Sequence, residues 1–156
     1  MTIPAEFDAA LDAELDHMMA ESERTMADFT PDYRPLNMYA IYRADLDMPP
    51  GKLAAQCGHA YVKAWRVAER MRPEICAGYE GTGNGTKLVM YARNLGQLVR
   101  AWKEARFAGI PCELIRDRGH ILPPHFTGRP IVTALGIGPA YKDEVSHITK
   151  RFTLAP

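Results

Sequence analysis

Cysteine, tryptophan and long apolar runs are all scarce in this chain of 156 residues, which holds three cysteines and two tryptophans. Cys57, Cys76 and Cys112 stand far apart and form no C-x-x-C pair, so a disulfide framework is excluded. An odd number of scattered thiols points to a reducing compartment and predicts a cytoplasmic protein. No apolar stretch approaches the roughly 18–20 residues that cross a bilayer. The N-terminus is acidic and lacks a basic stretch followed by an apolar one, so export is not predicted. The five histidines never stand at metal-ligand spacing from a cysteine or an acid, which argues against a metal site. No G-x-S-x-G nucleophile element occurs. GTGNGTK, at 81–87, lacks the G-K-[ST] ending of a phosphate loop and leads into a strand pattern, so it reads as a plain loop. What remains, at 47% hydrophobic and 24% charged residues, is an ordinary globular chain of a length that suits one domain.

Charge is balanced in total but segregated along the chain. Residues 1–35 carry nine acids against Arg24 and Arg34, a net −7, while residues 36–156 carry ten acids and seventeen bases, a net +7. An acidic arm is joined to a basic body, and a basic body suits a polyanionic partner such as nucleic acid. In the arm, Phe7, Leu11, Leu15 and Met18 or Met19 recur at helical spacing. That spacing predicts a helix over 4–28, stopped by Pro31 and Pro35. Its single apolar stripe predicts that it docks, on the body or on another chain. Two segments result: an acidic helical extension with its linker at 1–35, and a globular domain at 36–156.

The body alternates strand and helix patterns. Strands are predicted at 36–43, 86–93, 110–116 and 131–137, with helices at 52–70, 95–108 and 141–151. Asn94 is placed to cap the second of these helices. Gly138-Pro139 is expected to close the fourth strand, and 117–130, with three prolines, to form a long polar loop. The order β-α-β-α-β-β-α predicts an α/β fold, a four-stranded sheet with helices on both faces. The two crossovers make strands one to three parallel, and the direct loop makes strand four antiparallel.

The helix at 52–70 carries the most unusual pattern. At about 100° per residue, Lys52, Gln56, His59, Lys63, Arg66 and Arg70 share an arc of roughly 80°, with no acid among them. A solvated face usually mixes signs, and this stripe starts at a helix N-terminus, where backbone N–H groups already favour anions. Leu53, Cys57, Ala60, Tyr61, Ala64, Val67 and Ala68 form another side, suited to the sheet, which makes Cys57 a poor nucleophile. In open α/β sheets, ligands sit beyond the carboxyl ends of the strands. Lys52 follows strand one, Asp117 follows strand three, and strand four begins close by with Thr133. These residues can therefore meet at one edge, where a carboxylate can act on water and an ammonium can stabilise an oxyanion. The plainer reading of Asp117 is a turn residue before Gly119.

Three blocks carry a resemblance. GKLAAQCGHA at 51–60, AGIPCELIRDRGH at 108–120 and TALGIGPA at 133–140 together resemble the archaeal and eukaryotic type of peptidyl-tRNA hydrolase, over about residues 36–154. The resemblance implies a compact three-layer α/β/α domain with a four-stranded mixed sheet. It implies hydrolysis of the ester between a peptide and the terminal ribose of tRNA, with tRNA as partner and no metal or organic cofactor. It implies catalytic roles for Lys52, Gln56, Asp117 and Thr133. Phosphates of the tRNA would then dock on Lys63, Arg66 and Arg70 and on the neighbouring His59, Arg116, Arg118 and His120. The chain departs from the family at one point. After Asp-x-Gly and a basic residue the family usually has an active-site threonine; Ile121 stands here, with Thr127 the nearest alternative hydroxyl. That departure is what favours an alternative, a non-catalytic tRNA-binding or adaptor protein on the same fold. The acidic helix lies outside the family core, and its expected roles are self-association as a homodimer, partner docking, or competition with RNA for the basic body.

Overall fold

A computed structural model describes residues 5–27 and 34–156. The chain divides into two units, Met1–Tyr33 and Arg34–Pro156. In the first, helix α1 spans Ala5–Ala27, one residue shorter at each end than the spacing predicts. Leu15, Met18 and Met19 of its expected stripe are exposed. The side chains of Phe7 and Leu11, and Pro31 itself, lie outside the described residues.

The second unit begins by anchoring its own N-terminus. Arg34 forms a bidentate ion pair with Asp143, with Nη2 2.8 Å from Oδ1 and Nε 3.1 Å from Oδ2. Its guanidinium lies 3.9 Å from the centre of the Tyr141 ring. Strand β1, Leu36–Arg43, follows. Its residues alternate between two buried faces, Met38 and Ala40 on one, Tyr39 and Ile41 on the other, as a central strand requires. Helix α2, Pro50–Met71, starts on a proline whose missing N–H costs nothing in the first turn. Ala60, Ala64 and Ala68 recur every fourth residue and are wholly buried, so α2 lies close against the sheet. It meets β6, Ile131–Tyr141, where a Cβ on Gly136 would fall 2.0 Å from the carbonyl oxygen of Ala60.

The remaining elements are α3 (Pro73–Glu80), β2 (Thr86–Ala92), α4 (Leu95–Phe107), β3 (Cys112–Asp117), β4 (Ile121–Leu122), β5 (Phe126–Thr127), α5 (Lys142–Thr149) and β7 (Thr153–Leu154). Asn94 caps α4 as expected, its Oδ1 accepting the Gln97 N–H at 3.0 Å. The sheet order is β3-β6-β1-β2-β7. β1 and β2 are parallel, and β6 runs antiparallel to both β1 and β3, so the first three long strands share one direction. On one side of the sheet α4 and α5 pack Leu98, Ala101, Val145 and Ile148 against Tyr39, Ile41 and Leu135. On the other, α2 and α3 bring Ala60, Cys57, Ala64 and Ile75 onto Met38, Ala40 and Ala134.

The α/β/α architecture thus matches the expectation, with differences of detail. The mixed sheet has five strands rather than four, because the two-residue β7 adds to the edge of β2. Pro73, two residues beyond the end of α2, opens α3, a helix not predicted, whose Ile75, Cys76 and Tyr79 are buried at helical spacing. β6 does not end at Gly138-Pro139. Gly138 takes φ +97, a conformation that favours glycine, and the ladder to β1 shifts register there, so the pair forms an irregularity within a longer strand. The loop at 117–130 contains the β4–β5 hairpin, in which Ile121 pairs with Thr127 and Leu122 with Phe126.

Candidate active site

The crossover from β1 to α2 delivers Lys52 to the first turn of the helix. A cation is electrostatically misplaced at a helix N-terminus, and this first turn contains no acid. The lysine is also largely withdrawn from water, its side chain 8% exposed. An ammonium in such a place needs partners. β3 supplies one at its C-terminal end, where Asp117 Oδ2 lies 2.5 Å from Lys52 Nζ. The β4–β5 hairpin supplies the others. His120 Nδ1 lies 2.5 Å from the same nitrogen, and the Phe126 ring lies beneath it, 4.2 Å from Nζ to the ring centre. Two of the three ammonium donors meet acceptors while the charge rests against a π face.

One turn further along α2, Gln56 is buried beneath the rim. Its Oε1 accepts from Thr133 Oγ1 at 2.6 Å. Thr133 is wholly buried on β6, with the Ile115 carbonyl 3.5 Å from the same hydroxyl. Four residues from three separate stretches, Lys52, Gln56, Asp117 and Thr133, are therefore gathered by α2, β3 and β6 into two bonded pairs, spaced by one helical turn. Asp117 is a residue at the end of β3 that binds across the chain, not merely a turn residue before Gly119.

The basic stripe divides along α2. Lys52 and Gln56 turn inward, whereas His59, Lys63, Arg66 and Arg70 are exposed. Lys63, Arg116, Arg118 and Pro130 line a cleft of about 270 Å³. His59, Arg66 and Arg70 do not line it. His120, expected among the RNA contacts, is exposed and lies against Lys52. Cys57 lies on the sheet-facing side, and burial pushes its thiol above the ordinary value, which leaves it protonated and a poor nucleophile. Among the described residues no three His, Cys, Asp or Glu side chains group closely enough to hold a metal ion.

Ile121 is 70% exposed. Directly paired residues of an antiparallel hairpin share a face, so Ile121 and Thr127 lie on the side opposite Leu122 and Phe126. Because Phe126 faces Lys52, the Thr127 hydroxyl is on the hairpin face turned from the lysine. Phe126 itself, and the hairpin that carries it, escape the sequence reading. The available signal is Pro123-Pro124 between Ile121-Leu122 and Phe126-Thr127, flanked by Gly119 and Gly128, both at positive φ. Gly128 closes the base, accepting the Gly119 N–H and donating its own to the His120 carbonyl, each at 3.0 Å.

The arrangement offers a carboxylate that can hold and polarise a water, an ammonium that can face a developing oxyanion, and a cationic cleft beside them. A family model described as peptidyl-tRNA hydrolase PTH2 matches residues 36–155. The peptidyl-tRNA hydrolase of Methanococcus vannielii is 34% identical over 116 residues, covering 73% of this chain and 94% of its own length. That of Methanocaldococcus jannaschii is 33% identical over 119 residues, 76% of this chain and 99% of its own. The human peptidyl-tRNA hydrolase 2, mitochondrial, is 33% identical over 140 residues, 88% of this chain and 73% of its own.

Proposed function

Since this chain belongs to the peptidyl-tRNA hydrolase PTH2 family, we propose that it cleaves the ester of peptidyl-tRNA at the rim where Lys52, Gln56, Asp117 and Thr133 meet. The observation that carries the reading is the contact of Lys52 Nζ with Asp117 Oδ2, 2.5 Å apart, beyond the carboxyl ends of parallel strands. The ester carbonyl sits above this pair. Asp117 orients the attacking water and accepts its proton as the new carbon–oxygen bond forms. Lys52 stabilises the negative charge that builds on the carbonyl oxygen. Gln56, locked by Thr133, holds the substrate beneath the rim. The bond to the ribose oxygen then breaks, releasing tRNA and the peptide acid.

The cleft of Lys63, Arg116 and Arg118 takes a phosphate of the tRNA, and His59, Arg66 and Arg70 continue the track along α2. Affinity built on such contacts falls steeply with salt. No observation favours the binding-only alternative that Ile121 suggested; that residue projects from the hairpin away from Lys52. The cytoplasm remains the proposed compartment on the strength of the scattered thiols, and a homodimer through α1 the proposed assembly; both belong to this reading and fall to cell fractionation and solution mass. The central test is hydrolysis of an N-blocked aminoacyl-tRNA. Asp117→Ala and Lys52→Ala are each expected to lower kcat about 10²-fold or more while circular dichroism stays that of the parent. Parental rates in both variants would remove the assignment.

A further inference from the structure

Hydrolysis leaves one proton unaccounted for at the far side of the bond. The water gives its proton to Asp117, yet the departing ribose oxygen must receive one. The proposed quartet has no group aimed at that oxygen, because Lys52 faces the carbonyl and Gln56 and Thr133 are buried under the rim. His120 lies beside them and has no role in the scheme so far.

An ammonium only donates, so the contact between Lys52 Nζ and His120 Nδ1 requires Nδ1 to accept. The ring proton is then on Nε2. Nδ1 is the inward nitrogen, and the residue as a whole is exposed, so the N–H edge is open to a bound substrate. The ring has neighbours on the hairpin that carries it. Its backbone carbonyl accepts the Gly128 N–H at the hairpin base, and its ring lies 5.9 Å from that of Phe126, which also supports Lys52.

From this we infer that His120 is a catalytic residue that protonates the leaving ribose oxygen and is itself resupplied by Lys52. The inference rests on the assignment of Lys52 and Asp117 above. As the carbon–oxygen bond to the ribose breaks, His120 Nε2 gives its proton to the departing oxygen. His120 Nδ1 takes one from the Lys52 ammonium, which becomes an amine. Asp117, protonated by the attacking water, returns that proton across its 2.5 Å contact to Lys52. Carboxylate and ammonium are restored, while the ring regains its first tautomer by exchange with solvent. The net reaction is water plus ester giving acid plus alcohol. A sugar alkoxide is far more basic than any of the three donors, so the transfer runs downhill. The side chain that matters after Gly119 is thus an imidazole, in a chain whose next residue carries no hydroxyl.

The test separates proton transfer from positioning. In His120→Gln the amide oxygen can still accept from Lys52, but the side chain cannot relay a proton. With N-acetylated aminoacyl-tRNA, kcat is expected to fall about 10²-fold or more, the range for loss of one acid–base group. KM should stay within about threefold, because ground-state binding is untouched. In His120→Ala, added imidazole should restore part of the rate. Parental turnover in His120→Gln would overturn the inference, since the residue would then act at most by holding Lys52. A change confined to KM would make His120 an RNA contact, and a loss that imidazole does not restore would make its role structural. If Lys52→Ala and Asp117→Ala retain activity, the site assignment itself fails, a result distinct from all of these.

Discussion

Thr133 shows what a single buried hydroxyl does here. It is fully enclosed and is the partner of the Gln56 side-chain oxygen at 2.6 Å. Thr133→Val keeps the shape and removes the donor, leaving that oxygen unpaired at a cost of about 1–3 kcal/mol. A lower melting temperature and a lower kcat are expected together, read by thermal unfolding and by turnover of N-blocked aminoacyl-tRNA. An unchanged melting temperature would show that Gln56 finds another donor. At this scale the sequence was informative wherever residues share a helix or a strand end. Lys52 and Gln56 are four apart, so one turn of α2 stacks them, and the rule for ligand sites in parallel sheets brings Asp117 to the same rim. His120 and Phe126 were not readable in this way. Their meeting with Lys52 depends on a hairpin whose strands have two residues each, too short to show any period.

Among the elements, long periodic ones are plain from sequence and short ones are not. β1 is found at its predicted limits and α2 within two residues, because 8 and 22 residues give alternation and helical spacing room to repeat. α3, β7 and the hairpin owe their existence to packing or pairing partners far away in the chain. The join between α4 and the segment after α5 belongs to the same class. Glu104 of α4 pairs with Arg151 and with Arg100. The Arg151 hydrogen bond, followed by that from Arg100, holds its carboxyl down at about 2, against an ordinary 4.5. A depressed acid stabilises the fold above the unfolded value, and this contribution disappears as pH falls through the folded one. Glu104→Gln is therefore expected to be less stable than the parent at pH 6, with the gap closing between 4.5 and about 2. Urea unfolding at two pH values measures it, and a gap independent of pH would assign the loss to packing instead.

At the scale of the molecule the dominant fact is charge segregation. Arg34 belongs electrostatically to the body through Asp143, so the natural cut falls before it. Residues 1–33 then hold nine acids and one base. The expectation that this tethered polyanion competes with RNA for the basic body carries a salt dependence, because charges are screened over a Debye length of about 8 Å at 0.15 M. Removing residues 1–33 is expected to tighten tRNA binding at low salt and to change little at high salt, measured by titration; equal affinities at low salt would dismiss the competition. Neither charge partition nor fold class required coordinates to recognise, whereas the join of Arg34 to Asp143, 109 residues apart, did. Helix α2 bears both Lys52 and the exposed cations Lys63, Arg66 and Arg70. Lys52 and Arg70 are 18 positions apart on one unbroken helix, which at 1.5 Å per residue sets them about 27 Å apart. On the proposed function the helix is a ruler: it would fix how far from the scissile bond a nucleic acid is gripped, and deleting one turn from its middle would shorten that gauge by about 5.4 Å.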